Sequence, residues 1–142
     1  MQQLDTYLMF DGQCEEAFKF YAEVLGGKID AMIPFEGSPA ASSVPADFGK
    51  RILHAHLTAG KSALMGSDCP PGHFAKPQGF AVSVGVKEVA EADRIFNALS
   101  DKGNVTMPIQ ETFWSPRFGM VTDRFGIHWM VNAEGAAQAA SS

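Results

Sequence analysis

Along the chain, apolar residues switch between a spacing of two and a spacing of three to four, and those switches mark the elements. Leu4 to Phe10 is a β-type run that ends at Asp11-Gly12. From Cys14 the period becomes helical, with Ala17, Phe18, Tyr21, Val24 and Leu25 on one face. Gly26-Gly27 closes that helix by supplying left-handed conformations. Lys28 to Pro34 reads as the next strand. Residues 35–50 are rich in Gly, Pro, Ser and Ala and carry no period, so they form a long loop of the kind that covers a site or moves. Ile52 to Ala59 and Lys61 to Gly66 form a hairpin around Ala59-Gly60.

A linker from Ser67 to Gln78 contains Pro70, Pro71, Gly72 and Pro77, and beyond it the same order returns. Gly79 to Val86 is a strand, and Val89 to Ser100 is a helix with Ala92, Ile95, Phe96 and Leu99 on one face. Three strands follow, Asn104 to Glu111, Phe118 to Thr122 and Ile127 to Asn132. The helix segments EEAFKFYAEVLGG and AEADRIFNALSDKG align acidic, Ala and aromatic positions, which points to a duplication. The expected architecture is α+β: two tandem βαβββ modules, 1–74 and 75–142, making one structural domain. A loose tail is expected from about 134, where EGAAQAASS has no large apolar residue.

Composition narrows the partners. The 142 residues are 46% hydrophobic and 19% charged, and such a chain buries roughly two-thirds of its unfolded surface without a staple. Net charge is −5, and the basic residues are scattered, which argues against nucleic acid. Apolar runs are far shorter than the roughly 20 residues a bilayer needs, and MQQLDTYLMF has no basic leader, so no membrane is expected and the location is read as cytoplasmic. Cys14 and Cys69 are read as free thiols, with Cys14 a packed residue whose neighbours Glu15 and Glu16 oppose ionisation.

FYAEVLGG after a short strand, together with a terminal DRFGIHWMV, resembles the glyoxalase, bleomycin-resistance and dihydroxybiphenyl-dioxygenase (vicinal-oxygen-chelate) superfamily. YLMFDGQCEEAFKFY, LMGSD, TMPIQETFW and FGMVTDRFGIHWMV are similar to its PhnB-like branch over nearly the whole chain. The resemblance implies a curved mixed sheet around a cleft, a small-molecule ligand and a homodimer. Members of the branch have carried a demethylubiquinone methyltransferase label. This sequence lacks the glycine-rich strand-to-helix turn of a nucleotide cofactor site.

Metal-dependent relatives hold one divalent ion with His, Gln or Glu from the first and last strands of each module, so the resemblance can be tested against the residues. The family's usual Glu lies four residues after the turn glycine; here that count gives Met130 from Gly126 and Leu64 from Gly60. In the fifth strand Phe80, Val82, Val84 and Val86 should pack on the helix, leaving Gly79, Ala81, Ser83 and Gly85, none of them a good ligand. In the first strand Asp5, Tyr7 and Met9 should face inward. The usual site is read as degenerate, with no cofactor favoured and a divalent metal as the alternative.

Two groups of residues carry the remaining chemistry. In ILHAHLTAG, alternation puts His54, His56 and Thr58 on one face, where two imidazoles could be catalytic as an acid–base pair or ligate a metal with His128 or Glu111. The bland reading is a strand with polar residues on its wet side. Phe113, Trp114 and Arg117 beside Gln110 would suit a planar or anionic ligand, with Tyr7, Met9, Met120 and Met130 completing an adaptable pocket. The alternatives are core packing for the aromatics, and pairing of Arg117 with Asp123 or a helix acid. Trp129 is read as core, and His73 is given no role. The expected function is small-molecule binding; the alternative is a metal- or His-dependent lyase, isomerase or thiol-transferase.

Overall fold

The computed structural model describes residues 2–134. The chain divides into two compact units, Met1–Ala75 and Lys76–Ser142. In the first, β1 (Thr6–Phe10) leads to α1 (Cys14–Leu25), then β2 (Lys28–Pro34), β3 (Ile52–Ala59) and β4 (Ser62–Asp68). In the second, β5 (Val82–Val86) leads to α2 (Val89–Ser100), then β6 (Asn104–Gln110), β7 (Arg117–Thr122) and β8 (His128–Ala133). Each unit has one open four-stranded mixed sheet, with orders β1-β4-β3-β2 and β5-β8-β7-β6. The first strand of each pairs in parallel with the last, and the rest is antiparallel. Both are α+β βαβββ modules of the glyoxalase-like kind.

Strand alternation sorts each sheet into two faces. In the first unit Leu8, Phe10, Ala55, Leu57 and Leu64 are buried with Ala17, Phe18 and Tyr21 of α1. In the second, Val121, Trp129 and Val131 are buried with Ala92, Ile95 and Phe96 of α2. Burying one apolar side chain contributes about 1.5–3 kcal/mol, so these two cores hold each helix on its sheet. Gly26 ends α1 at φ 65°, the left-handed cap that its sequence predicts. Gly66 lets Phe18 lie against the strand: a Cβ there would stand 2.7 Å from the phenyl ring and 2.8 Å from the Leu8 carbonyl oxygen.

A buried aspartate ties each unit together. The residue before α1, Gln13, gives no side-chain cap. Instead Asp68 Oδ1, reaching from the end of β4, accepts the backbone N–H groups of Gly12 at 2.8 Å and Cys14 at 3.0 Å. Its Oδ2 accepts Ile52 N–H at 2.8 Å, where β3 begins. In the second unit Asp123 Oδ1 accepts Phe125 and Ile127 N–H across the turn, and Oδ2 accepts the indole N–H of Trp129.

Several boundaries differ from the sequence pattern. β4 continues past Gly66 into the expected linker because it pairs with β1 as far as Phe10 and Asp68, and a buried carboxylate is invisible to an apolar pattern. Phe80 lies outside β5 and is 55% exposed, not packed on α2. Asp5 precedes β1 and is held by the Gln3 amide, so it has no inward strand position. Residues 35–50 hold two 3₁₀ turns, Pro39–Ser43 and Ala46–Phe48, and their base is closed by Phe35 N–H to Arg51 O and Glu36 N–H to Gly49 O. The N–H of Glu134 donates to the Val86 carbonyl; the rest of the expected tail lies outside the described residues.

Candidate functional site

The face of each sheet turned away from its helix carries the polar and adaptable side chains. In the first unit, β1 offers Tyr7 and Met9, β4 offers Met65 and Ser67, and β3 offers His54, His56 and Thr58. Tyr7 pairs with Met65, and Met65 with His56, so these three form a row across the sheet. Tyr7, Met9 and Ile33 remain exposed.

His54 and His56 share this face as their spacing predicts, but their partners separate them. The His54 ring lies 6.2 Å from the Tyr7 ring, centroid to centroid. His56 Nδ1 lies 3.1 Å from Asp30 Oδ2, and the Thr58 hydroxyl donates to the same oxygen. Asp30 occupies a bulge: Ile29 opposes Leu57 and Ala31 opposes His56, leaving Asp30 as the extra residue. The bulge turns its carboxylate onto the β3 pair. The Thr58 hydroxyl first, then His56, holds the Asp30 carboxyl below the ordinary carboxylate range. A carboxylate oxygen only accepts, so Nδ1 carries the proton and, in the neutral ring, Nε2 is a lone-pair acceptor. Sequence reading missed Asp30 because alternation across an unbroken β2 gives no sign of the bulge.

In the second unit the corresponding face carries Ser83 on β5, Phe118 and Met120 on β7, and His128, Met130 and Asn132 on β8. Met120 pairs with Met130, and Met130 with Ser83. His128 is fully engaged: Nε2 is 2.9 Å from the Pro77 carbonyl and Nδ1 2.8 Å from the Thr122 hydroxyl. Because a carbonyl only accepts, Nε2 carries a proton. The histidine thereby fastens the chain ahead of β5 and offers no lone pair at Nε2. Glu111 follows Gln110, which pairs with Phe118 and through it with Asn132, four residues from His128. At 3.3 Å per residue the two stand ~13 Å apart along the sheet, so Glu111 and His128 do not share an ion.

The aromatic segment splits as well. Phe113 is 97% exposed and stacks edge-on against Trp114 at 4.7 Å, which in turn meets Phe118 at 5.4 Å. Ser115, buried below them, fixes the turn: its hydroxyl lies 2.7 Å from the carbonyls of both Arg117 and Ala133, and its backbone N–H donates to Thr112 Oγ1. Arg117 does not join the pocket candidates Gln110, Met120 and Met130. It pairs with Ala133 on the helix side, and its Nε donates to Asp93 of α2 at 3.1 Å. The side-chain oxygen of Asn132 is buried with no partner among the described residues, a polar group the sequence pattern gave no reason to single out.

The divalent metal of related proteins can be tested against these positions. On the helix-free faces, the paired positions of first and last strands hold Tyr7 with Met65 and Ser83 with Met130. The count from Gly60 lands on Leu64, which is buried on the helix side; Met65 is the inward residue. The two-residue Gly60-Lys61 turn and the longer turn between Thr122 and His128 explain the offset. A phenol, a hydroxyl and two thioethers do not fit a hard or borderline divalent ion, which takes imidazole and carboxylate. Within the described residues of each unit, no three His, Cys, Asp or Glu side chains stand together as a ligand set. Both cysteines are buried free thiols; burial first, then Asp68, pushes Cys14 well above the ordinary thiol range, and burial raises Cys69.

The comparisons agree with this architecture. Protein YjdN of Escherichia coli (strain K12) is 35% identical over 137 residues, spanning 91% of this chain and 93% of that protein. The crystal structure of protein PA1353 from Pseudomonas aeruginosa is 47% identical, covers 95% of this chain and 99% of that one, and superposes with a TM-score of 0.88. A PhnB protein from Bacillus cereus, described as a putative 3-demethylubiquinone-9 3-methyltransferase, shares the fold at 24% identity and a TM-score of 0.78, covering 93% of this chain and 99% of that one. No helix of the described residues is long and apolar enough to cross a membrane. A family model matches residues 3–131, and the chain belongs to the Glyoxalase/Bleomycin resistance protein/Dioxygenase superfamily.

Proposed function

We propose that this chain binds a small molecule on the helix-free faces of its sheets and does so without the divalent metal of its superfamily. The observation that carries the reading is the identity of the paired first-strand and last-strand positions, Tyr7 with Met65 and Ser83 with Met130. Those side chains supply apolar, polarisable and weakly polar surface, suited to packing a ligand and unsuited to charging a metal. Met120 and Phe118 extend the same character in the second unit. We also propose a cytoplasmic homodimer; the buried free thiols favour a reducing compartment, and Phe113 and Trp114 favour an aromatic contact.

Elemental analysis of protein purified without chelator or affinity-tag histidines tests the first proposal, paired with ligand-observed NMR screening of small aromatic compounds. The expected result is no stoichiometric transition metal, and binding that a chelator leaves unchanged. Near one equivalent of metal, lost in the double variant His54→Ala/His56→Ala, would overturn it. Light scattering on the same preparation reads the dimer.

A further inference from the structure

We propose that the helix-free face of the first unit recognises a flat, largely apolar ligand through an acidic hydroxyl of the phenol or enol class, with His56 Nε2 as the acceptor. The inference rests on the small-molecule reading and names the ligand chemistry for one of its faces.

Three features of the face carry it. The first is the direction of the hydrogen bond. Asp30 takes the proton-bearing Nδ1 of His56, so the neutral ring presents Nε2 as a lone pair, and no described residue donates to it. The His56 side chain is 33% exposed, and Nε2 is the ring nitrogen that Asp30 leaves unengaged. An acceptor so fixed selects donors: a hydroxyl satisfies it, while a carbonyl or ether oxygen facing it is repelled.

The second is the carboxylate behind the ring. Were the ligand O–H bond to break and its proton pass to Nε2, the imidazolium formed would lie beside Asp30, and the electron pair would remain on the ligand oxygen. That arrangement favours acidic hydroxyls over alcohols. Asp30 is a positioning residue, doubly held because Thr58 fixes the same carboxylate oxygen.

The third is the bed around the acceptor. Met65 lies directly across from His56, and Tyr7 lies beyond Met65 with its ring against His54. Ile33, exposed at 45%, pairs with His54 on the other flank. Apolar side chains on both flanks of the face, with the Tyr7 ring on one of them, suit a ring or conjugated system with a single donor.

The test uses two probes of matched shape, 4-nitrophenol and 4-nitroanisole, titrated into the full chain by calorimetry and NMR. The intact protein should bind the phenol about tenfold more tightly, the worth of one hydrogen bond with ionic character. Bound 4-nitrophenol should show the visible absorbance of its ionised form at a pH where the free probe is largely protonated. His56→Phe keeps ring volume and removes the acceptor, so it should erase the preference and the absorbance while anisole binding persists. Asp30→Ala frees the tautomer and should leave an intermediate preference. His56→Ala serves if the Phe variant fails to fold. If both probes bind and the preference survives in the His56 variants, the inference falls while the small-molecule reading stands. Failure of the phenol to bind overturns the inference, and failure of the wider screen as well overturns that reading.

Discussion

Asp68→Asn replaces a buried carboxylate by a side chain of nearly the same shape, so its cost isolates hydrogen bonding from packing. The carboxylate accepts three backbone N–H groups, two at Oδ1 and one at Oδ2, and is 2% exposed. An amide can keep its oxygen toward Gly12 and Cys14, but its NH2 then faces the Ile52 N–H, donor against donor. The stranded donor costs about 1–3 kcal/mol, and each surviving bond falls from the charged range toward about 1 kcal/mol. Neutralising a buried charge returns part of this, so a net loss of about 2–4 kcal/mol is expected. That is a large share of the roughly 5–15 kcal/mol that holds a domain folded, and it should lower Tm by roughly 4–16 °C. Urea unfolding followed by far-ultraviolet circular dichroism measures it, with the slope of the transition unchanged. Asp68→Ala, which strands all three donors, should cost more than the amide. A loss under about 0.5 kcal/mol for Asp68→Asn, or equal losses for both variants, would refute the claim that Asp68 caps α1 and anchors β3.

Three further outcomes follow from the geometry. Gly66→Ala forces a methyl group to within 2.7 Å of the Phe18 ring and 2.8 Å of a backbone oxygen, and should destabilise the chain by about 1–3 kcal/mol in the same assay. Thr58→Val removes the first cause of the depressed Asp30 pKa, so the carboxyl titration followed by carbon NMR should move up toward the ordinary value of about 3.9. The sign is that of a depressed carboxylate: the stabilisation is present above the unfolded pKa and is lost as pH falls through the folded one, so the variant should lose it at a higher pH. The Cys14 thiol, buried and pushed upward first by desolvation, should resist a disulfide reagent at mildly alkaline pH until the chain is unfolded; rapid labelling of the native protein would contradict its packing.

The hydrophobic pattern alone determined the element order, the duplication, both helices and the helix-facing side of β3 and β8, because burial against one face imposes a period of two or 3.6 along the chain. It also placed His54, His56 and Thr58 on one face, since alternation needs nothing beyond the strand itself. What the pattern could not supply depends on contacts across the sheet. The bulge at Asp30 is defined only by the register of β2 against β3, and it turns an ordinary strand carboxylate into the partner of His56. The bond from Arg117 to Asp93, that from His128 Nε2 to the Pro77 carbonyl, and that from Gly12 N–H to Asp68 at the end of a longer β4 join residues 24, 51 and 56 positions apart. Spacing along a strand fixes which way a side chain points; only the tertiary structure decides what it meets there, because a hydrogen bond needs its partner within about 3 Å.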